Sequence, residues 1–389
     1  MRILYYYWGE LIAKSAQKVL ATKDIEVTVI SPTRIKYDND EEFMAVVKEA
    51  LKIADGQSKF DMIFSFNYFP DLSRVACECC VQYVAWVYDS PHLTLESVTI
   101  NNSCNKVYIF DYWLYMKYVE DGISTVNYMP LPARIIKNVD MFKPSYRHDI
   151  TFIGNLYDGE QDQFGSIGYL PEFVDGYLDS LINSQQYIYG EDLFQKLVND
   201  EIYNSISSYV SIDLGENYRD SGIEIFRNML RRRVTMNERT EVLKRLGSEF
   251  GCDKVDLYCG IDHPNLPVRN NGFADYYEEM PRIFALSKIN INITLRSIQS
   301  GIPLRIMDIL GAGGFCITNY QAEIAEYFEN GVDIVWYEDI EDLVVKCRYY
   351  LEHDEEREAI ARSGQKKVEE LFEFEKQFRK VLNNSIAET

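Results

Sequence analysis

The chain has 389 residues, of which 47% are hydrophobic. This length exceeds what one ordinary core accommodates and predicts two domains. The formal net charge of −21 argues against nucleic acid as a partner, because wrapping nucleic acid requires a basic face.

Neither the N-terminal residues nor the cysteines indicate export or a metal site. The only apolar run at the N-terminus is short and is interrupted by Gly9 and Glu10, so we expect no signal peptide, no membrane span and a cytoplasmic location. The eight cysteines lack paired metal-ligand spacing, which favours reduced thiols over zinc ligands or disulfides.

The first 135 residues alternate β-rich runs with helical patterns, which is typical of a parallel sheet flanked by helices. Ligands of such a sheet contact groups just past the carboxyl ends of its strands. The predicted strands cover residues 2–8, 25–31, 61–67, 82–89 and 106–111. Their ends select Trp8, Gly9, Asn67, Asp89 and Asp111 as candidate site residues. A helix cap explains Asp111 equally well.

A proline-interrupted linker at residues 131–149 separates this region from a second alternating one, so we predict domains at residues 1–140 and 141–370. Residues 161–247 are predicted to form a helical insertion. Its basic run, Arg231–Arg233, has helical periodicity that favours a solvated helix face over an anion site. The predicted strands of the second region cover residues 149–156, 254–260, 288–295, 313–319 and 332–337.

The segment from Arg296 onward predicts an anion site. Gly301 permits close backbone approach, and a helix is expected to begin at residues 302–303. Free backbone N–H groups at that helix start would face a diphosphate, with Arg296 or Arg305 as the charged partner. Asp308 shares a helical face with Gly301 and Arg305, where its carboxylate could accept ribose hydroxyls. An amphipathic helix with a glycine cap is an equally good interpretation.

This segment resembles the nucleotide-sugar domain of GT-B glycosyltransferases, in which two Glu residues separated by seven positions precede a small-residue turn and a strand. Asp308 stands where the second Glu is expected, and Ser300 stands at the first, where this sequence departs from the pattern. The chain is more closely similar to the CgeB-like family of spore maturation and spore-coat glycosyltransferases. That resemblance rests on residues 65–123 and 264–328.

The resemblance implies an α/β fold of the GT-B type, with two Rossmann-like domains facing across a cleft. The insertion would belong to the C-terminal domain, and the last helix, within residues 371–389, would cross back to the N-terminal domain. The implied enzyme is hexosyltransferase-like and transfers a sugar from a nucleotide sugar, with a UDP-sugar expected, to a hydroxyl of a glycan or protein. Such a reaction would serve protein or cell-surface glycosylation. Retention of anomeric configuration and independence from metals and cofactors are also implied.

The resemblance assigns roles to individual residues on the two sides of the expected cleft. Asp89 stands where related enzymes carry a histidine that contacts donor sugar and acceptor, and His92 is a second catalytic candidate. Trp8, Gly9, Asn67 and Asp111 would then lie on the acceptor side. The expected donor-binding residues are Gly154 and Asn155 at the diphosphate, Gly260 beside the base, Arg296, Ser300, Gly301 and Arg305 at the phosphates, Asp308 at the ribose, and Asn319, Tyr320 and Gln321 beside the sugar.

Two other functions fit parts of the sequence. One is a GT-B-type epimerase or hydrolase of nucleotide sugars, which the shortage of histidines disfavours because the chain has four. The other is a non-catalytic partner that binds nucleotide sugars, as the Ser300 departure suggests. The insertion is expected to act as a lid or as the contact of a homo-oligomer.

Overall fold

The computed structural model describes residues 1–32, 38–51, 59–137, 146–206, 209–210, 217–219 and 222–385. The chain divides into two compact units. Unit 1 comprises Met1–Pro132, Leu214–Ser221 and Phe374–Thr389, and unit 2 comprises Ala133–Asp213 and Gly222–Glu373. The domain boundary predicted at residue 140 lies outside the described residues.

Within its described residues, unit 1 contains a parallel sheet of six strands in the order β2-β1-β3-β4-β5-β6. Strands β3 and β5 are buried at every position, because helices cover both faces of the sheet. The strands are β1 (Arg2–Tyr6), β2 (Glu26–Ile30), β3 (Met62–Phe66), β4 (Gln82–Trp86), β5 (Asn105–Ile109) and β6 (Val126–Tyr128).

Four helices along the chain and one returning helix flank this sheet in the described part of unit 1. They are α1 (Ala13–Leu20), α2 (Glu41–Leu51), α3 (Pro70–Glu78), α4 (Tyr112–Glu120) and α14 (Phe374–Asn384). Phe378 of α14 packs against the rings of Phe64, Phe66 and Trp86 on the sheet. Burial of these aromatic side chains stabilises the packing of α14 against the sheet of unit 1.

Unit 2 contains a second parallel sheet, with six strands in its described residues in the order β12-β11-β10-β7-β8-β9. Apolar side chains of β7, β8 and β10 form the centre of its core. The strands are β7 (His148–Ile153), β8 (Val255–Tyr258), β9 (Arg269–Asn270), β10 (Ser287–Asn292), β11 (Cys316–Asn319) and β12 (Val335–Tyr337).

The helices of unit 2 fall into an insertion and a set that alternates with strands. The insertion contains α5 (Glu172–Gln185), α6 (Leu193–Leu197), α7 (Asp200–Ile206) and α8 (Ile223–Phe250). These four pack around an apolar cluster of their own, which includes Leu178, Phe194 and Phe226. The alternating helices are α9 (Met280–Leu286), α10 (Leu304–Gly311), α11 (Ala322–Tyr327), α12 (Ile340–Glu352) and α13 (Asp354–Phe372).

The ten strands predicted from the sequence are all present, and two short strands, β6 and β9, were not predicted. Both lie at the edges of their sheets. Among the described residues, no helix combines the length and apolar character needed to cross a membrane.

Candidate functional site

The site lies at the topological switch point of the unit 2 sheet, where the strand order reverses at β7. From β7 the chain runs to β8 on one side, whereas β10 pairs with β7 on the other side. Ligands of parallel sheets bind outside the carboxyl ends of the strands at such a point. Gly154 and Asn155 directly follow β7, and Arg296 lies in the loop that follows β10. The fold therefore places these three predicted residues at one edge of one sheet.

Arg239 of α8 also lies at this edge, and the sequence did not predict it as a site residue. Its guanidinium donates to the carbonyl oxygen of Asn155 after β7, and to that of Ile293 after β10 at 2.6 Å. The side chain therefore joins the two loops that flank the switch point. A β-carbon at Gly154 would lie 3.6 Å from Nη1 of Arg239, so the loop after β7 passes close to this cation.

Arg239 is 9% exposed, and its charge is not neutralised by an ion pair with any described residue. Its Nε atom is buried and has no hydrogen-bond partner in the described part of the chain. Burial lowers the pKa of Arg239, the nearby Tyr157 hydroxyl and Glu238 carboxylate oppose this shift, and the Arg305 guanidinium adds to it. A buried cation that contacts no carboxylate directly is costly, and a bound anion would lower that cost.

Two other buried arginines have carboxylate partners, which corrects two sequence interpretations. Arg231 is ion-paired with Asp192 and Glu224, so this part of the basic run is not a solvated helix face. Arg296 donates Nε to Glu238 at 2.9 Å. Its two other nitrogens donate to backbone carbonyls of the insertion, at 2.9 and 3.0 Å. The guanidinium of Arg296 thus holds the insertion against the end of β10 instead of standing open to a phosphate.

Helix α10 begins later than predicted, and this changes the roles of its residues. The helix starts at Leu304 with Pro303 as its N-cap, so Gly301 precedes the helix and does not share a helical face with Arg305. Arg305 is partly exposed and lies 3.5 Å from the Asp308 carboxylate. Asp308 is buried and accepts a hydrogen bond from the Tyr276 hydroxyl at 2.9 Å. Burial raises the pKa of Asp308, and Arg305 opposes that shift.

Ser300 stands where the GT-B pattern has a glutamate, but Glu323 brings a carboxylate to the same part of the loop. The Ser300 hydroxyl donates to Oε1 of Glu323 at 2.7 Å, and the Ser300 carbonyl accepts the backbone N–H of Glu323 at 3.1 Å. Glu323 lies in the first turn of α11 and is buried. The contact joins residues 23 positions apart, so the spacing of acidic residues along the sequence could not reveal it.

Four predicted donor residues, Arg296, Asn319, Tyr320 and Gln321, line one small polar cavity at the ends of β10 and β11. The opposite wall comes from the insertion and includes Tyr189. The cavity volume is about 30 Å³, the size of a water molecule or of one polar substituent. Asn319 fixes the cavity floor, because its side chain accepts the N–H of Thr294 at 2.8 Å and donates to the carbonyl of Tyr320.

Gly260 lies apart from these residues, at the exposed end of β8. A β-carbon there would lie 4.0 Å from Cβ of Phe273, whose side chain is 74% exposed. The structure thus adds an exposed aromatic ring at the position expected beside the base.

The predicted residues of unit 1 meet at the ends of β3 and β4. Asn67 donates to the Asp89 carboxylate at 2.6 Å and accepts the backbone N–H of Tyr88 at 2.9 Å. The His92 ring contacts the backbone of Tyr68, and burial lowers the pKa of His92, which favours its neutral form. Asp89 remains an exposed carboxylate at this edge.

The remaining predicted residues of unit 1 have structural contacts. Trp8 donates its ring N–H to the Phe66 carbonyl at 2.8 Å, and Gly9 adopts a φ of +96°, which favours glycine. Asp111 is fully buried and caps α4 by accepting the N–H of Leu114. The prediction that Asp111 contacts the acceptor is wrong, and the alternative of a helix cap is confirmed, because the carboxylate is enclosed by the protein.

Within the residues that the structure describes, no three histidine, cysteine or acidic side chains are grouped closely enough to hold a metal ion.

Comparison with known proteins gives one family match and several similar structures. Residues 231–383 match the model of a family described as glycosyl transferase-like, and this range includes Arg239, Arg305 and Glu323. No curated protein matches the sequence significantly. Among solved structures, a glycosyltransferase from Rickettsia africae ESF-5 is similar with a TM-score of 0.52 and 10% identity, over 100% of this chain and 99% of the other. Sucrose-phosphate synthase from Thermosynechococcus elongatus is similar with a TM-score of 0.52 and 9% identity, over 100% of both chains.

These similarities confirm the predicted α/β fold of the GT-B type. The family match confirms the predicted enzyme class, a glycosyltransferase. Assignment to the CgeB-like subfamily stays a prediction.

Proposed function

We propose that this glycosyltransferase uses a nucleotide-diphosphate sugar as its donor and that Arg239 and Arg305 hold the diphosphate. The observation that carries the proposal is the buried guanidinium of Arg239 at the switch point of the unit 2 sheet, whose Nε has no hydrogen-bond partner among the described residues. A diphosphate supplies negative charge in direct contact and accepts charge-assisted hydrogen bonds from arginine.

The neighbouring residues support the same placement. A β-carbon at Gly154 would meet the Phe152 ring at 3.2 Å and Nη1 of Arg239 at 3.6 Å, so glycine keeps the loop after β7 close to Arg239. Helix α10 begins directly after the loop that follows β10, so its N-terminus lies at the end of that loop. As the bond to the sugar breaks, negative charge grows on the departing diphosphate, and the two arginines stabilise it. We therefore propose a metal-independent transfer. A UDP-sugar is the proposed donor, a hydroxyl of a glycan or protein is the proposed acceptor, and retention of the anomeric configuration is the proposed stereochemical course.

The small cavity supports a role of the insertion in holding the sugar. Its walls are formed by Arg296 and by the residues that follow β11, together with the α5–α6 connection. Tyr189 of this connection stacks on Arg296, with the guanidinium carbon 4.1 Å from the ring centroid, and donates to Glu238 at 2.5 Å. We propose that one polar substituent of the donor sugar occupies this cavity.

The experiment measures binding of UDP, UDP-glucose, UDP-N-acetylglucosamine and GDP-mannose by isothermal titration calorimetry, followed by turnover assays with chromatographic detection of the released diphosphate. The wild type is compared with Arg305→Ala, Arg239→Gln and Asp308→Ala. Loss of one charge-assisted hydrogen bond of about 1.5–3 kcal/mol predicts weakening of roughly tenfold to a hundredfold for each arginine variant.

Arg245→Ala is the matched control, because Arg245 lies on the same helix and pairs with Glu249 and Glu341 at the surface. Its affinity should equal that of the wild type. Unchanged nucleotide affinity in both Arg305→Ala and Arg239→Gln would contradict the proposed donor site. Binding without turnover on hydroxyl acceptors would instead favour a non-catalytic partner, and turnover to free sugar or an epimer alone would favour the hydrolase or epimerase.

A further inference from the structure

Cys77 and Cys104 form a pair of neighbouring free thiols within unit 1. Cys77 lies in the last turn of α3 and is exposed, whereas Cys104 directly precedes β5 and is partly buried. The Cys104 thiol donates to the carbonyl oxygen of Ser73 at 3.6 Å. Cys77 follows Ser73 by four residues, so both lie on one face of α3. The two cysteines are therefore neighbours in space although they are distant along the chain.

Both cysteines are held in place by contacts between α3 and the sheet. The Ser73 hydroxyl donates to the side-chain oxygen of Asn105 at 2.8 Å, which joins α3 to the first residue of β5. The backbone carbonyl of Cys104 accepts the N–H of Tyr83 on β4 at 2.8 Å. Helix α3 also packs on the core of unit 1 through its buried apolar side chains. These contacts keep the Cys104 thiol beside α3.

The two thiols differ in their surroundings. Burial raises the pKa of Cys104 to about 12, and the Cys77 thiol adds to this rise both by its charge and as a hydrogen-bond partner. Hydrogen bonds with the Cys104 backbone and with Ser73 oppose the rise. Cys77 is exposed, so a dissolved oxidant reaches it before Cys104. Once Cys77 is bound in a disulfide it carries no charge, and its contribution to the raised pKa of Cys104 is lost.

We propose that Cys77 and Cys104 form a site of reversible oxidation that takes a small disulfide, such as glutathione disulfide, as its oxidant. The Cys77 thiolate attacks one sulfur of glutathione disulfide, which forms a mixed disulfide and releases one glutathione thiolate. The Cys104 thiol then loses its proton to solvent and attacks Sγ of Cys77, and the second glutathione leaves with the bonding electrons. The cysteines lose two electrons, which reduce glutathione disulfide to two glutathione molecules. The new bond ties the end of α3 to the start of β5.

Two further thiols, those of Cys79 and Cys80, follow Cys77 and compete for the same oxidant. Cys79 is partly buried, and Cys80 is exposed. The described contacts of the Cys104 thiol are to Ser73, Asn105 and Cys77. We therefore expect Cys104 to pair with Cys77 and not with either of these two.

The test incubates the reduced chain with glutathione disulfide, blocks the remaining thiols by alkylation and maps the disulfides by mass spectrometry. Trypsin together with a glutamate-specific protease separates the cysteines into peptides 75–78, 79–96 and 97–106, because these end at Glu78, Glu96 and Lys106. Peptides 75–78 and 97–106 should be found joined by a disulfide. The chain has eight cysteines, so the loss of one pair should lower the thiol count of the denatured protein from eight to six.

Three variants separate this pair from the neighbouring thiols. Cys104→Ser should stop the reaction at the mixed disulfide, so peptide 75–78 should keep one glutathione. Cys77→Ser should leave peptide 97–106 as a free thiol, and Cys80→Ser, the matched control, should still form the disulfide. The proposal is overturned if glutathione stays on Cys77 in the wild type, or if peptide 97–106 joins peptide 79–96 instead. Formation of the same disulfide with equal yield in urea would also overturn it, because the native placement of α3 would then not be its cause.

Discussion

Replacement of Glu10, which follows β1 and is 6% exposed, by Gln should change the pH dependence of stability in a direction that follows from its burial. The pKa of Glu10 is about 7 in the folded protein and has an ordinary value of 4.5. The folded state therefore binds the proton more tightly than the unfolded state does. This stabilising effect is complete below pH 4.5 and is lost as pH rises toward 7, because the unfolded chain ionises first.

One unit of pKa corresponds to about 1.4 kcal/mol, so Glu10 should lower the free energy of unfolding by about 3 kcal/mol above pH 7, relative to acid conditions. Between pH 5 and pH 8 the expected change is about 2.5 kcal/mol. Glutamine cannot ionise, so the variant lacks this change. Its amide group disturbs the contact with the Trp8 N–H by a constant amount, which cancels when the two pH values are compared.

The assay is urea unfolding of both proteins at pH 5 and pH 8, followed by tryptophan fluorescence, to which Trp8, Trp86 and Trp113 of unit 1 contribute. The free energy of unfolding of Glu10→Gln minus that of the wild type should be larger at pH 8 by about 2.5 kcal/mol. An equal difference at the two pH values would show that the Glu10 carboxyl titrates at its ordinary pKa, and would refute the reasoning.

Two further predictions concern packing in unit 2. Asp192→Ala should destabilise the insertion by about 1–3 kcal/mol, because it removes one of the two carboxylate partners of the buried Arg231 and leaves Glu224 in place. A thermal midpoint equal to that of the wild type would contradict the prediction. Gly247→Ala should lower the free energy of unfolding in urea by about 1–3 kcal/mol, because the alanine methyl group would overlap the Pro267 carbonyl. Alanine has the better helix propensity, so a variant more stable than the wild type would contradict the overlap.

The fold was largely predictable because most of its strands are short runs rich in β-branched and aromatic residues that alternate with helical patterns. Residues 62–66 and 105–109 are buried on both faces of their sheet, so the chain must carry apolar or internally satisfied side chains at consecutive positions. Strand β9 contains two residues at a sheet edge, one of them exposed, and has no such pattern. Its position depends on pairing with β8, which is a tertiary contact.

The site was less predictable because its important contacts are distant in the chain. Arg239 is 84 residues from Asn155 and 54 from Ile293, and its periodic helix shows only that it belongs to α8. Arg296 is a cation in a loop at the end of a strand, as an anion-binding residue would be, yet its guanidinium pairs with the Glu238 carboxylate.

The most direct test of the donor site is the affinity of UDP for the wild type and for Arg305→Ala, measured by calorimetry at one salt concentration. Arg305 is partly exposed, so its replacement leaves the buried contacts of Arg239 in place. We expect a loss of roughly tenfold to a hundredfold in affinity, because one charge-assisted contact to the diphosphate is removed. An unchanged dissociation constant, with Arg245→Ala as the reference, would contradict the assignment of the diphosphate to the switch point of unit 2.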